Sequence, residues 1–311
     1  MSKPTALVIA FGGCNGCHVT ITDLYERVTE LFDLIDLKWG SVLTDFKYKD
    51  IPDVDVALIE GTIENEENLE ILKKIREKSK ILIALGTCSS YGGIPGLRNY
   101  YSVDECLDAA YLNNVSTVDG QIPYKEVPRM LTKALPVHKV VKVDYKITGC
   151  PPEPDQVLSA IKDLAQGNVP KIATKNLCEE CHRKKKEIEP GNREFYTFTV
   201  ESVMESDLDS EKCFLEQGVL CMGPATVAGC GGRCTAANMP CRGCYGPSEG
   251  AIEQGCEMAN ALAPIVPIGA LIQKEDLPGT FYRFALPSSI IEGDMKKIAN
   301  NLQPKGGEHN E

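Results

Sequence analysis

Apolar runs of β type alternate with amphipathic stretches along the first half of the chain. The runs are Thr5–Gly12, Leu34–Leu43, Val54–Gly61, Lys80–Thr87 and Val140–Thr148. Between the first two, Val19–Leu34 reads as a helix. Glu64–Ser79 reads as another, because Ile63, Leu69, Leu72 and Ile75 share one side and charges fill the rest. A third, Asp155–Gln166, follows a Pro-rich turn and ends at Gly167, a suitable C-terminal stop. Strand–helix alternation of this kind implies a parallel sheet with helices on both faces. The expected fold is α/β, a flavodoxin-like doubly wound sheet of strand order 2-1-3-4-5.

The pattern changes near residue 172, which divides the chain into an expected domain 1–172 and a second, 173–311. Strand-like runs become scarce there, with one exception at Phe195–Val203. Gly, Pro and Cys dominate from Cys213 to Gly250, too little apolar surface for an ordinary core. Metal clusters would supply the missing cross-links, as in other small metallo-domains. Gln303–Glu311 reads as disordered, and no internal repeat is present.

Charge and targeting narrow the function classes. A net charge of −11 argues against nucleic acid as a partner. Every apolar run is well short of the ~20 residues that a spanning helix needs, so no membrane partner is expected. The start, Met-Ser-Lys-Pro, leads straight into a strand rather than a secretion signal, so a cytoplasmic, reducing location is expected. Arg183-Lys184-Lys185-Lys186 reads as a solvated basic face; its place directly after a CxxC leaves contact with a redox partner, or tempering of a cluster's charge, as the other reading.

Cysteine carries the candidate chemistry. The chain has 14, and twelve of them fall into three sets of four. Cys14 and Cys17 form a CxxC after the first run, while Cys88 and Cys150 end two later runs. Cys178 and Cys181 form a second CxxC, followed by Cys213 and Cys221. Cys230, Cys234, Cys241 and Cys244 share one Gly-rich stretch. Four thiolates per set suit a [4Fe–4S] cube, one per iron. Disulfides do not suit a reducing compartment. Structural zinc is the stronger rival, though zinc joins close knuckles and the first set is scattered from residue 14 to residue 150. Cys106 and Cys256 stand alone in helix-like segments and read as buried free thiols.

The first set has a topological logic. Open α/β sheets bind ligands outside the carboxyl ends of their strands, and all four of these thiols follow strand ends. The helix after Cys17 is expected to aim its positive N-terminus at an anionic cluster. Its amides, with those of Gly12, Gly13, Gly16, Gly92 and Gly93, are expected to hydrogen-bond the sulfurs. The loop lacks GxGxxG and GxxxxGK[ST], which excludes a phosphate-binding reading.

These residues resemble the small subunit of [NiFe] hydrogenases. The resemblance is carried by Cys-Asn-Gly-Cys, Gly-Thr-Cys-Ser-Ser-Tyr-Gly-Gly-Ile, Gly-Cys-Pro-Pro, Leu-Cys-Met-Gly-Pro-Ala-Thr and Pro-Cys-Arg-Gly-Cys, in that order, from residue 5 to about 250. The branch it looks most like is the cytosolic, methyl-viologen-reducing (non-deazaflavin-reducing) enzyme of methanogens. The resemblance implies an electron-relay subunit with three [4Fe–4S] clusters, beside a large subunit that holds the nickel–iron site. It implies that Cys14, Cys17, Cys88 and Cys150 hold the proximal cluster. Cys178, Cys181, Cys213 and Cys221 would hold the distal one, and Cys230, Cys234, Cys241 and Cys244 the medial one. The acceptor it implies is a small [2Fe–2S] subunit feeding a heterodisulfide reductase. A free-standing, ferredoxin-like carrier is the alternative.

Two departures from the commonest family pattern stand out. Many members place a histidine where Cys178 stands; here Cys-Glu-Glu-Cys-His offers Cys178 with His182 as competitor, and Cys178 is the expected ligand because Cys181 and His182 are adjacent. Many members also have a proline near the position of Cys234 and a three-iron medial cluster, so Cys234 implies a cube there.

Overall fold

The computed structural model describes residues 3–42, 44–45, 47–186, 204, 207–251, 253–265 and 277–290. The chain forms two compact units. Unit 1 comprises Met1–Thr174, Cys244–Gly246 and Phe284–Ser288, and unit 2 comprises Lys175–Gly243, Pro247–Arg283 and Ser289–Glu311.

Unit 1 is built on β1 (Thr5–Ala10), β2 (Asp36–Gly40), β3 (Val54–Glu60), β4 (Ile63–Asn65), β5 (Ser79–Leu85), β6 (Met130–Leu135) and β7 (Tyr145–Ile147). Five of these make one parallel sheet, ordered β2-β1-β3-β5-β7, which is the expected 2-1-3-4-5. The short β4 and β6 pair antiparallel, a two-stranded addition that the apolar pattern does not announce.

Alternate residues of the sheet feed two cores. Ala6, Val8, Val56, Leu58, Ile83 and Leu85 pack on one face with Ile21, Leu31, Val157 and Ile161. Leu7, Ile9, Ala57, Ile59 and Leu82 pack on the other with Trp39, Leu72, Ile75 and Val137. The helices of this unit are α1 (Gly16–Thr22), α2 (Val28–Leu34), α3 (Glu66–Lys78), α4 (Gly86–Tyr91), α5 (Val103–Tyr111), which lies by β6 with no buried residue, and α6 (Pro154–Ala165). Leu72 is fully buried, so truncating it to Ala would cost about 2–5 kcal/mol. The start of α3 is fixed by Asn65, whose side chain accepts from the Asn68 amide at 2.8 Å.

The expected elements shift where polar side chains compete with the backbone. The helix expected over Val19–Leu34 is two helices, α1 and α2, joined by a 3-10 turn at Tyr25–Arg27. The Thr20 and Thr22 hydroxyls bond back to the carbonyls of Gly16 and Val19, and Tyr25 is left-handed at φ 51°. The run Val140–Thr148 contributes only Tyr145–Ile147 to the sheet. Val140, Val141 and Val143 pack against the core instead, and the Asp144 carboxylate takes the Leu82 amide and Arg76.

Unit 2 is held by short turns: 3-10 segments at Leu177–Glu179, Phe214–Gln217 and Gly223–Ala225, then α7 (Arg233–Ala236), α8 (Gln254–Leu262) and α9 (Leu277–Phe281). Phe214, Leu215, Leu220, Met222, Met258 and Leu262 are among its large buried side chains. The strand expected at Phe195–Val203 and the tail Gln303–Glu311 lie outside the described residues. Among the described residues no helix is long and apolar enough to cross a membrane.

Candidate metal centres

Three parallel strands deliver the first set of thiols to one edge of the sheet. Cys14 follows β1 and Cys17 sits in the first turn of α1. Cys88 lies in α4 just past β5, and Cys150 follows β7. Thr87 ties two of these loops together: its amide donates to Gly149 O at 2.9 Å, and its hydroxyl accepts from Gly149 N at 3.0 Å. The Thr20 hydroxyl reaches the Pro152 carbonyl at 3.2 Å and anchors α1 to the Cys150 loop. Burial first, then Glu60, Cys88, Cys150 and Cys14, push the Cys17 thiol far up. Burial, then Cys150, Cys14 and Glu60, push Cys88 up to about 12. The four sulfurs thus lie within electrostatic reach of one another. Left without a cation, Cys17, Cys88 and Cys150 would hold their protons.

Glycine is required where the sulfurs approach the backbone. A Cβ on Gly86 (φ +81°) would stand 2.3 Å from Cys17 Sγ, and one on Gly93 (φ +52°) 2.6 Å from Cys88 Sγ.

Glu60 corrects the expected role of α1. The helix begins at Gly16, so Cys17 is inside it, and of its first three amides that of Gly16 alone meets a thiol. The amides of Cys17 and His18 donate to the two Glu60 oxygens at 3.2 and 3.1 Å. Glu60 is 2% exposed and His18 3% exposed, and His18 Nδ1 also contacts Glu60 Oε2. The positive end of α1 is therefore met by a carboxylate from the end of β3. Neither residue is singled out by the motifs; an acid closing the apolar run Val54–Glu60 was the available signal. The glycine amides depart from expectation in the same way. Gly12, Gly92 and Gly93 donate to the carbonyls of Thr62, Cys88 and Phe284, and Gly16 alone of these four faces a thiol, Cys14 Sγ at 3.4 Å.

In unit 2 the second set lines a single cavity of about 40 Å³, which Cys178, Cys181, Cys213 and Cys221 share with Arg183, Lys185, Phe214 and Gly223. Burial, with Cys213 and Cys181 nearby, pushes Cys178 up to about 11. Burial and Cys241 push Cys221 far up, against amide hydrogen bonds from Gly223 and Cys241. Cys213 accepts from the Leu215 and Glu216 amides. His182 is not part of the cavity lining.

The third set is divided between the units. Cys230, Cys234 and Cys241 belong to unit 2 and Cys244 to unit 1. Cys230 accepts from the Gly232 and Arg233 amides and lies near Cys234. The Glu180 carboxylate fastens this loop through the amides of Gly229 and Gly231 at 2.9–3.0 Å.

Repeated N–H···S bonds to thiols near other thiols are the environment that thiolates bound to iron need. Among the described residues no group of three His, Cys, Asp or Glu side chains could hold one metal ion. A cube asks for something looser, one thiolate at each iron, and the cavity of the second set offers that. The residues present fit such a group.

Three expectations drawn from the sequence need correction. Cys256 is exposed, because Gln254, Gly255, Met258 and Leu262 take the inner side of α8. Cys106 is half-buried rather than buried, its sulfur 4.0 Å from the Arg98 carbonyl. Arg183 is buried and not part of a solvated face, while Lys184, Lys185 and Lys186 are exposed.

Comparison with known proteins places this architecture. The family model described as NADH ubiquinone oxidoreductase, 20 Kd subunit, matches residues 14–164. A chain of a crystal structure of an NAD+-reducing [NiFe]-hydrogenase in the H2-reduced state superposes with a TM-score of 0.52 at 32% identity, over 55% of this chain and 95% of that one. The G subunit of the F420-non-reducing hydrogenase of Methanothermobacter marburgensis is 38% identical over 92% of this chain and 95% of its own length. The vhu G subunit of the F420-non-reducing hydrogenase of Methanocaldococcus jannaschii is 39% identical over 93% of this chain and 97% of its own. The chain belongs to the family formed by the G subunits of the F420-non-reducing hydrogenases.

Proposed function

We propose that this chain is the electron-relay small subunit of a cytoplasmic [NiFe] hydrogenase and carries three [4Fe–4S] clusters. The chain is the non-catalytic subunit of a hydrogenase complex, with the catalytic site on another chain. The observation that carries the reading is the meeting of Cys14, Cys17, Cys88 and Cys150 at the carboxyl edge of the sheet, in a chain that matches hydrogenase subunits over nearly its whole length.

Each set of four thiols has its own task in this reading. Cys14, Cys17, Cys88 and Cys150 hold the cluster facing the large subunit. Cys230, Cys234, Cys241 and Cys244 hold the medial one, and Cys178, Cys181, Cys213 and Cys221 the distal one. When bound, such clusters supply one-electron redox centres whose potentials follow hydrogen bonding and burial at the sulfurs. The chain's own contribution is to fix those sulfurs, through Thr87, Thr20, Glu180 and the amide donors, and to exclude water from Cys17, Cys221 and Cys241, which are buried. The proposed acceptor is a small [2Fe–2S] subunit feeding a heterodisulfide reductase.

The test is anaerobic purification of the native complex, with metal and acid-labile sulfide analysis of each subunit. The expected result is about twelve irons with equal sulfide in this chain, four per cube, and nickel in a co-purifying partner. Zinc in place of iron overturns the cluster assignment. Iron without any nickel-containing partner replaces the hydrogenase reading by the free-standing carrier.

A further inference from the structure

Arg183 parts company with the three lysines that follow it. They are exposed, whereas Arg183 is 7% exposed. Its Nε donates to the Thr235 carbonyl at 3.2 Å. Its Nη1 donates to the carbonyls of Asp209 and Lys212 at 2.9 and 2.8 Å, and Nη2 donates to Asn238 Oδ1. The guanidinium also stacks on Phe214, with Cζ 3.9 Å from the ring centroid. Every hydrogen-bond acceptor in this set is a neutral oxygen. Among the described residues no carboxylate forms an ion pair with it.

A buried cation without an opposite charge is costly, and an arginine cannot shed its proton to escape that cost. A structural role alone would leave the cost standing. The cavity that Arg183 lines resolves it, because Cys178, Cys181, Cys213 and Cys221 line the same space; Lys185 lines it too, but as an exposed, solvated charge, and Arg183 is the buried one. Four thiolates around an iron–sulfur cube carry net negative charge, and one-electron reduction adds another unit without making or breaking a bond. A fixed cation beside them stabilises the reduced state more than the oxidised one.

We propose that Arg183 is the resident counter-cation of this four-cysteine site and raises the reduction potential of the cluster held there. The inference rests on the cluster reading above and adds a positioning residue to it. The neutral fork of carbonyls and the Asn238 amide hold the guanidinium against the cavity without cancelling its charge. A lysine would lose the fork but keep the charge; a glutamine would keep donors and lose the charge.

The experiment is a redox titration of the purified complex, followed by electron paramagnetic resonance, for Arg183→Lys, Arg183→Gln and Arg183→Met. In the two neutral variants one cluster's midpoint falls by at least 59 mV, equivalent to a tenfold change in its reduced-to-oxidised ratio at fixed potential. The Lys variant stays within that interval of the unmodified protein, and the other two clusters do not move. A neutral variant with full iron and an unchanged midpoint overturns the proposal. If the neutral variants lose four irons while Lys retains them, the charge is needed for the cluster to form, which supports the proposal. If Lys loses them as well, the fork is structural and the proposal falls. Zinc, or no acid-labile sulfide, at this site in the unmodified protein defeats the cluster reading itself, independently of any variant.

Discussion

The amide of Cys241 donates to the sulfur of Cys221 at 3.2 Å. The two residues belong to different four-cysteine sets, so one hydrogen bond joins a ligand of the proposed distal cluster to a ligand of the proposed medial one. The Met222 amide returns the link by donating to the Cys241 carbonyl at 2.9 Å.

Gln254 holds that junction. Its buried Nε2 donates to the Gly243 carbonyl at 2.9 Å and to Thr226 Oγ1 at 3.3 Å, and the Cys241 sulfur lies 3.7 Å from the same hydroxyl. Gln254→Leu leaves buried oxygens unsatisfied and should cost about 1–3 kcal/mol in anaerobic denaturant unfolding. It should also shift two paramagnetic signals together. A shift confined to one signal would show that the two sets are not joined here.

Gly86 is the sharpest point of contact in the first set. Gly86→Ala places a methyl in the space of Cys17 Sγ and imposes a left-handed backbone on alanine. The expected outcome is loss of about four irons, one cube, with the other two clusters intact, and at least about 1 kcal/mol of stability. Full iron content in the variant would remove Cys17 from the ligand set.

Cys178 and His182 separate cleanly. Cys178 lines the cavity and His182 stands outside it. His182→Ala should leave three cluster signals, and Cys178→Ala should damage one. The reverse pattern makes the histidine the ligand.

Cys234 decides the iron count of the medial site. It stands in α7, near Cys230, and is exposed. Cys234→Pro should give a three-iron cluster of higher potential, visible as a new signal in the oxidised protein. An unchanged cluster would show that Cys234 is not a ligand.

His138 supplies a pH dependence. Burial, then the charges of Lys146 and Lys139, depress it from 6.5 to about 4, against a bond to the Ser90 carbonyl. The unfolded chain therefore takes up a proton that the folded one refuses, and stability falls as pH drops from about 6.5 to about 4. The ring is partly exposed, so solvent screening reduces the effect to about 1 kcal/mol. His138→Gln should flatten unfolding midpoints across that window. An equal slope in the variant would assign the acid sensitivity to other groups.

The strand order was legible because β1, β3 and β5 are predominantly apolar runs among amphipathic helices. The cysteine sets were legible because spacing and position after strands survive without coordinates. Glu60 was not, because an acid at a strand end is ordinary until its partners, two amides far away in sequence, are known. Arg183 was hidden by its neighbours: three lysines beside it gave the whole run the look of a solvated surface. The split of α1 from α2 escaped for a local reason, the threonine hydroxyls that bond back to the backbone where the apolar spacing continues.

The Glu60 bracket under α1 bears on how a metal-bearing subunit is manufactured. Many small metal sites are folded by their metal. Here the Cys17 end of the turn is also clamped from beneath by a carboxylate of the same chain, so a cluster would not be its sole tether.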